Sequence, residues 1–269
     1  MPTNLSHLTE LVVVCGHATF TGTRKDVMSE DHWILQPFQR SNPSTGKPGE
    51  HHSFINHILA AAFLVASRPG ALLIFSGGRT TSSERTEAQS YEHVHLGLGD
   101  PFEIGDRYAR EDYATDSFQN LLFSILRFKQ VVGRYPQTIT VVTHAFKRER
   151  ILGAHAAALR WPAECIRLHG VDPPFTNNEW HSTAASEERA AAAFAQDQFG
   201  FLPPLADKRR SRYFDPDAVE KAYADLEPDA VQLLRYCNRG EGALPSRFPW
   251  EFDSSSGRLQ GGDSDGRAL

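Results

Sequence analysis

Leu72-Leu73-Ile74-Phe75-Ser76-Gly77-Gly78 is the stretch that decides the fold. Four apolar residues in a row, without polar alternation, describe a strand covered on both faces, as strands of a parallel sheet are. The glycine pair marks a sharp exit from the strand. The pattern stands upstream in Leu11-Val12-Val13-Val14-Cys15-Gly16. It stands downstream in Thr138–Thr143, rich in β-branched residues, and more weakly in Cys165–Leu168 near Gly170. Helical stretches lie between and after these runs. Phe54–Ser67 stops before Arg68-Pro69-Gly70, and Glu84–Leu98 ends at Gly97 and Gly99. Thr115–Val132 carries Phe118, Leu121, Leu122, Ile125, Leu126 and Phe128 at helical spacing; Lys147–Arg160 and Ser186–Phe199 follow. This alternation predicts an α/β fold: a Rossmann-like, three-layer α/β/α domain with a mainly parallel sheet.

Residues 1–200 are expected to form that domain, with a long polar loop over 21–52 that reads as a lid. Residues 201–252 read as a C-terminal extension packed on the core, with helical character at Asp217–Leu226 and Asp229–Tyr236. Residues 253–269, rich in Ser, Gly and Asp, are expected to be a disordered tail. A chain of 269 residues with 40% hydrophobic residues is large enough for a sizeable core.

A formal net charge of -5 gives no basic field for nucleic acid, and none is expected as a partner. Three scattered cysteines, Cys15, Cys165 and Cys237, make neither a disulfide framework nor a zinc ribbon. Cys15, inside an apolar run, reads as a buried strand cysteine. The sequence offers no signal-peptide pattern and no apolar stretch of membrane-spanning length, so a cytoplasmic or nuclear location without membrane association is expected. Twelve histidines invite a search for metal. His51, His52, His57, His93 and His95 make no zincin pattern, and no metal site is expected.

Ligands of open parallel sheets bind at the carboxyl ends of the strands, which singles out 16–24, 76–87 and 143–150. At Gly77-Gly78-Arg79-Thr80, paired glycines allow close backbone approach, and a following helix N-terminus favours an anion; the alternative is simply a tight strand-to-helix turn. Glu87, read as one to two turns into that helix, faces either the cleft or solvent, and Glu84 is an alternative first-turn acid. Glu111 precedes the next helix, where Asp116 and Asn120 share a face four residues apart. Asn120 interrupts an apolar face and needs partners, from a ligand or from a neighbouring loop. The last constellation runs Thr143-His144-Ala145-Phe146-Lys147-Arg148-Glu149-Arg150. Lys147 and Arg150 three apart make a cationic pair suited to an anionic group, or a solvated helix surface paired with Glu149. The basic run Lys208-Arg209-Arg210-Ser211-Arg212 reads as a solvated loop, with a phosphate contact as the alternative.

Taken in order, these residues resemble the domain of unknown function numbered 218, the YdcF/SanA/ElyC-like family, in a version with a long N-terminal loop and a C-terminal extension of the fungal type. The resemblance covers about Leu11 to Leu168. It matches Gly77 and Gly78 to the family's glycine turn, Glu87 to its helix acid, Glu111 and Asn120 to its next acid and amide, and Thr143 and Arg150 to its strand-end hydroxyl and terminal arginine. Lys147 stands where the family has histidine. The resemblance implies a Rossmann-like sheet and, through one bacterial relative, S-adenosylmethionine as a cofactor. Other relatives act on the cell envelope from a membrane anchor, a role that does not transfer here. If the family's histidine moves a proton, Lys147 needs a strongly depressed pKa to replace it; if it holds an anion, lysine serves unchanged.

The expected function is binding of a small anionic ligand, phosphate-, nucleotide- or S-adenosylmethionine-like, at the strand ends. In an enzyme, Glu87, Glu111 and Lys147 would be the candidate catalytic groups. Gly77, Gly78, Arg79, Thr80, Asp116, Asn120, Thr143, His144, Arg148 and Arg150 would be candidate ligand contacts. The alternatives are a non-catalytic sensor or scaffold using the same pocket, and a purely structural polar network. Neither the reaction nor the oligomeric state is legible, and no Gly-x-Ser-x-Gly elbow supports a hydrolase.

Overall fold

The computed structural model describes residues 4–251; the expected tail over 253–269 lies outside them. The four apolar runs are strands β1 (Glu10–Cys15), β4 (Ala71–Ser76), β6 (Thr138–Thr143) and β7 (Ile166–Gly170). With β5 (Tyr108–Glu111) they form a five-stranded sheet in the order β5-β4-β1-β6-β7, every neighbouring pair parallel. The apolar-run reading does not reveal β5. As an edge strand it has one side pairing with β4 and only half-buried side chains before Glu111, so Tyr-Ala-Arg-Glu suffices.

Continuous apolar runs serve two faces at once. Leu11, Val13 and Cys15 point to one side of β1, and Val12 and Val14 to the other, because side chains alternate along a strand. On the second side lie α1 (His51–Ala66) and α2 (Glu87–Gly97). On the first lie α3 (Ser117–Val132), a helical segment from Glu149 to Ala158, and Phe194 of α5 (Asn177–Gln196). The result is a three-layer, Rossmann-like α/β/α fold. No described helix is long and apolar enough to cross a membrane.

Three expectations need correction. The helix expected over Lys147–Arg160 is a 3-10 turn at Ala145–Lys147, then π-helical at Glu149–His155, and α-helical only at Ala156–Ala158. The wide π turn gives Arg150 a different direction from the one a regular helix sets. The polar stretch over 21–52 is more structured than a loop. Thr19–Phe20 (β2) pairs antiparallel with Trp33–Ile34 (β3), Trp33 is buried against Phe20 at 5.2 Å between ring centroids, and α1 begins at His51. The basic run at Lys208 is no loop. It lies in α6 (Leu205–Ser211), whose Arg209 is buried in an ion pair with Asp116 at 2.7 Å.

α6 is followed by α7 (Pro216–Ala222) and α8 (Pro228–Arg239). Leu205, Val219, Tyr223, Leu233 and Leu234 join the same apolar cluster as α3. The fully buried Tyr223 donates its hydroxyl to the Phe123 carbonyl at 3.2 Å. The extension therefore completes one face of the sheet instead of decorating it.

Candidate functional site

A cavity of about 490 Å³ opens at the carboxyl ends of β1, β4 and β6, a size suited to a small organic molecule. Each strand end delivers a group to it: Gly16 and His17 after β1, Thr80 and Thr81 after β4, and Thr143 and His144 at β6. The N-terminus of α3 adds Asp116, Ser117 and Asn120.

The floor is a contact chain among three side chains. His17 Nε2 lies 3.0 Å from Thr143 Oγ1, and its Nδ1 lies 3.4 Å from Lys147 Nζ. His17 stacks on His144 at 4.4 Å, and His144 on Phe146 at 4.9 Å. Burial, then the neighbouring Lys147, holds both histidines well below the usual imidazole range, so they are neutral. A neutral His17 has one donor and one acceptor. If the Lys147 ammonium donates to Nδ1, then Nε2–H donates to Thr143. Removal from water, then the nearby Arg150, brings Lys147 down to about 7. The depressed pKa that proton transfer by a lysine requires at this position is thus present.

Glu87 is the first residue of α2, not one to two turns in; Thr86 is the N-cap, and Glu84 lies outside the helix. Its carboxylate is buried and accepts from Thr80 Oγ1 at 2.6 Å. Burial raises its pKa against the pull of Arg212. Gly16 and Gly77 are glycines because of it: a Cβ on either would stand 2.5 or 2.8 Å from the Glu87 Cβ.

Five expected site residues do not line the cavity. Gly77 and Gly78 have spent their N–H groups on the carbonyls of Glu111 and Ala114, at 3.0 and 2.6 Å, so they offer none to an anion. Their role is the tight turn and close packing. Arg79 is exposed and lies over the Tyr213 ring. Arg148 is exposed and turns to the Leu168 carbonyl, because the chain leaves β6 through a 3-10 turn. Glu111 is a buried clasp beneath the floor. It accepts from the N–H groups of Tyr113 and Ala114 and from Ser76 Oγ, while Asn120 Nδ2 donates to the same Ser76 hydroxyl at 2.9 Å. Burial pushes its carboxyl up to about 8 despite those bonds.

Of the expected cationic pair, Arg150 is occupied. Its Nε and Nη2 both donate to Glu187 of α5 at 2.7 Å, and Nη1 donates to Ser117 Oγ at 2.7 Å. Ser117 Oγ in turn lies within hydrogen-bond distance of His155 Nε2, at 2.8 Å. Asp116 is occupied as well. It caps α3 through Gln119 N–H, and although burial raises its pKa, Arg209 outweighs that and leaves it below the usual carboxylate range.

Sequence reasoning misses Gly16, His17, Ser117, Glu187, Lys208 and Arg212, all of which line the cavity. His17 carries a legible signal: it follows β1 as His144 follows β6. Lys208 and Arg212 fall in the basic run whose alternative reading is a phosphate contact, but nothing in the local sequence shows that the extension brings them to the strand ends. Among the described residues, Lys147, Lys208 and Arg212 have no carboxylate within 4.0 Å, whereas Lys47, Arg150 and Arg209 do. No group of three or more His, Cys, Asp or Glu among the described residues is arranged to hold a metal ion.

Fold and cavity together define a Rossmann-like α/β protein with a ligand-sized site at its strand ends. Among curated proteins, a Saccharomyces cerevisiae protein named "Uncharacterized protein YOR238W" is 28% identical over 231 residues, covering 68% of this chain and 74% of its own length. No protein-family model and no solved structure matches the chain.

Proposed function

We propose that this protein binds a small anionic molecule in the strand-end cavity and acts on it by proton transfer through Lys147. The observation that carries this reading is the trio Lys147, Lys208 and Arg212, three cations lining one cavity without a carboxylate partner. Lys208 is exposed and Lys147 and Arg212 are half-buried, so water meets these charges without a ligand, and an anionic group replaces that water with charge-assisted bonds. Lys147 near neutrality, in contact with His17 and through it Thr143, supplies a base or acid at the pH of a cell. Glu87 at the start of α2 is a second protonatable group. Between the ligand classes that the sequence suggests, the cations favour phosphate esters over S-adenosylmethionine, whose sulfonium they repel. A structural network is favoured by Glu111, Ser76 and Asn120, but Glu111 and Ser76 lie beneath the cavity, and the network leaves the trio unexplained.

The test is a thermal-shift titration of the full chain with inorganic phosphate, sugar phosphates, nucleotides and S-adenosylmethionine, run beside the double variant Lys208→Ala, Arg212→Ala. A phosphate-bearing probe at 100 times its dissociation constant should stabilise by about 2.7 kcal/mol, and the variant should lose most of that shift. Stabilisation by no anion, with a protein that melts cooperatively, sinks the reading.

A further inference from the structure

The cavity has two unlike walls. Lys208 and Arg212 of the α6 region make one, anchored to α3 by the Arg209–Asp116 pair and by the bond from Arg212 Nη1 to the Thr115 carbonyl at 2.6 Å. The other is aromatic and comes from two segments joined by the Lys47–Glu179 ion pair at 3.0 Å. Phe38 belongs to the chain leading into α1. Phe175 precedes α5 and packs 6.0 Å from Phe146 and 5.8 Å from Trp180. Phe38 lines the cavity yet is 68% exposed, with no other aromatic ring against it among the described residues. Lys147 stands at the junction, 5.9 Å over the Phe146 ring. Between the walls His144, only 5% exposed, has no hydrogen-bond partner at either ring nitrogen among the described residues. A neutral imidazole offers one donor and one acceptor, and both are unmet.

From this division, and resting on the anion-binding reading above, we infer that the ligand is a nucleoside monophosphate, its phosphate held by Lys208, Arg212 and Lys147 and its heterocyclic base laid against Phe38 and Phe175 beside His144. A flat ring satisfies the exposed aromatic wall by stacking, which works for any base. A bare sugar phosphate would satisfy the cations and leave the aromatic wall unused. A nucleoside would do the reverse.

The deciding experiment is isothermal titration calorimetry of the full chain with AMP, GMP, CMP and UMP, against ribose 5-phosphate, adenosine and inorganic phosphate. At least one mononucleotide should bind about tenfold or more tightly than both ribose 5-phosphate and adenosine. Phe38→Ala, at an exposed position where truncation spares the core, and Phe175→Ala should each lower that nucleotide's affinity at least about fivefold more than they lower ribose 5-phosphate's. Melting temperatures of both variants show that they are folded. Ribose 5-phosphate binding as tightly as every nucleotide, or a nucleotide indifferent to both variants, overturns the inference and leaves the anion reading standing. Binding of none of the phosphates removes both.

Discussion

Lys147 carries a lysine charge out of water at a cost in stability. Its amine sits at about 7 where free lysine sits at 10.5, because removal from water and the nearby Arg150 disfavour the charge. The unfolded chain therefore holds a proton that the folded chain releases between pH 7 and 10.5. Stability gains from this group as pH rises through that window, and the full penalty applies below pH 7. Lys147→Met should raise the melting temperature at pH 6 by about 5 °C, with the gain shrinking towards pH 10. Sulfate affinity of the wild type should rise as pH falls through 7, sulfate being chosen because its own charge stays fixed, and the variant should lose that rise. Melting curves and titrations at pH 6 and 9 check both statements. Glu111 runs the opposite way. With its carboxyl raised to about 8, the folded state holds a proton that the unfolded chain loses from about 4.5 upward, so stability falls as pH rises between those values. Glu111→Gln keeps an acceptor for the N–H groups of Tyr113 and Ala114 and cannot ionise. The variant should melt at nearly the same temperature as wild type at pH 5 and a few degrees above it at pH 8.5. A variant that tracks wild type at both pH values would refute the assignment.

Element by element, the site depends on how α5 closes over the strand ends. Thr176 and Glu179 form a capping box that starts the helix, and Glu179 also reaches Lys47 across the cavity mouth. Two turns further on, Glu187 grips Arg150 with two parallel bonds, as a ligand carboxylate or phosphate would. Glu187→Gln leaves a buried guanidinium uncompensated and should cost about 3 kcal/mol in a urea melt. Phosphate should then restore more stability to the variant than it adds to wild type, because Arg150 becomes available to it. An equal phosphate shift in the two proteins would show that Arg150 stays out of reach. The same elements explain why the long N-proximal segment is ordered: Trp33 and Phe20 anchor its hairpin, and the Lys47–Glu50 and Lys47–Glu179 pairs fix its far end beside the cavity.

For the whole molecule, the C-terminal extension is part of the domain in packing and in the site. Val219, Tyr223, Leu233 and Leu234 share one buried apolar cluster with α3, Trp250 donates to the Leu159 carbonyl, and α6 supplies Arg209 for Asp116 and Lys208 for the cavity, with Arg212 directly after it. A chain ending at residue 200 exposes that apolar face and strands a buried carboxylate. It should show no cooperative thermal transition, whereas residues 1–251 should melt as the full chain does. A cooperative melt of the shorter chain would mean that the extension is only an accessory layer.

The local sequence determined the layers and where to look. Runs such as Leu11–Cys15 and Leu72–Phe75 are apolar on both faces, so they can only be central strands of a covered sheet, and the strand-end rule then leads to Thr80, Glu87, Thr143, His144 and Lys147. These are properties of a few neighbouring residues, and neighbours in sequence are legible. Tertiary structure alone decided which charges are spoken for. Arg150, a plain ligand grip by sequence, is taken by Glu187 from 37 residues away; Asp116 is taken by Arg209 from 93. Gly77 and Gly78 turn out to make room for Glu87 and Tyr113 instead of seating an anion. Lys208 and Arg212, by contrast, are brought in without a carboxylate partner among the described residues. Pairing energy depends on distance and burial, and those quantities exist only once the extension has folded back across the sheet.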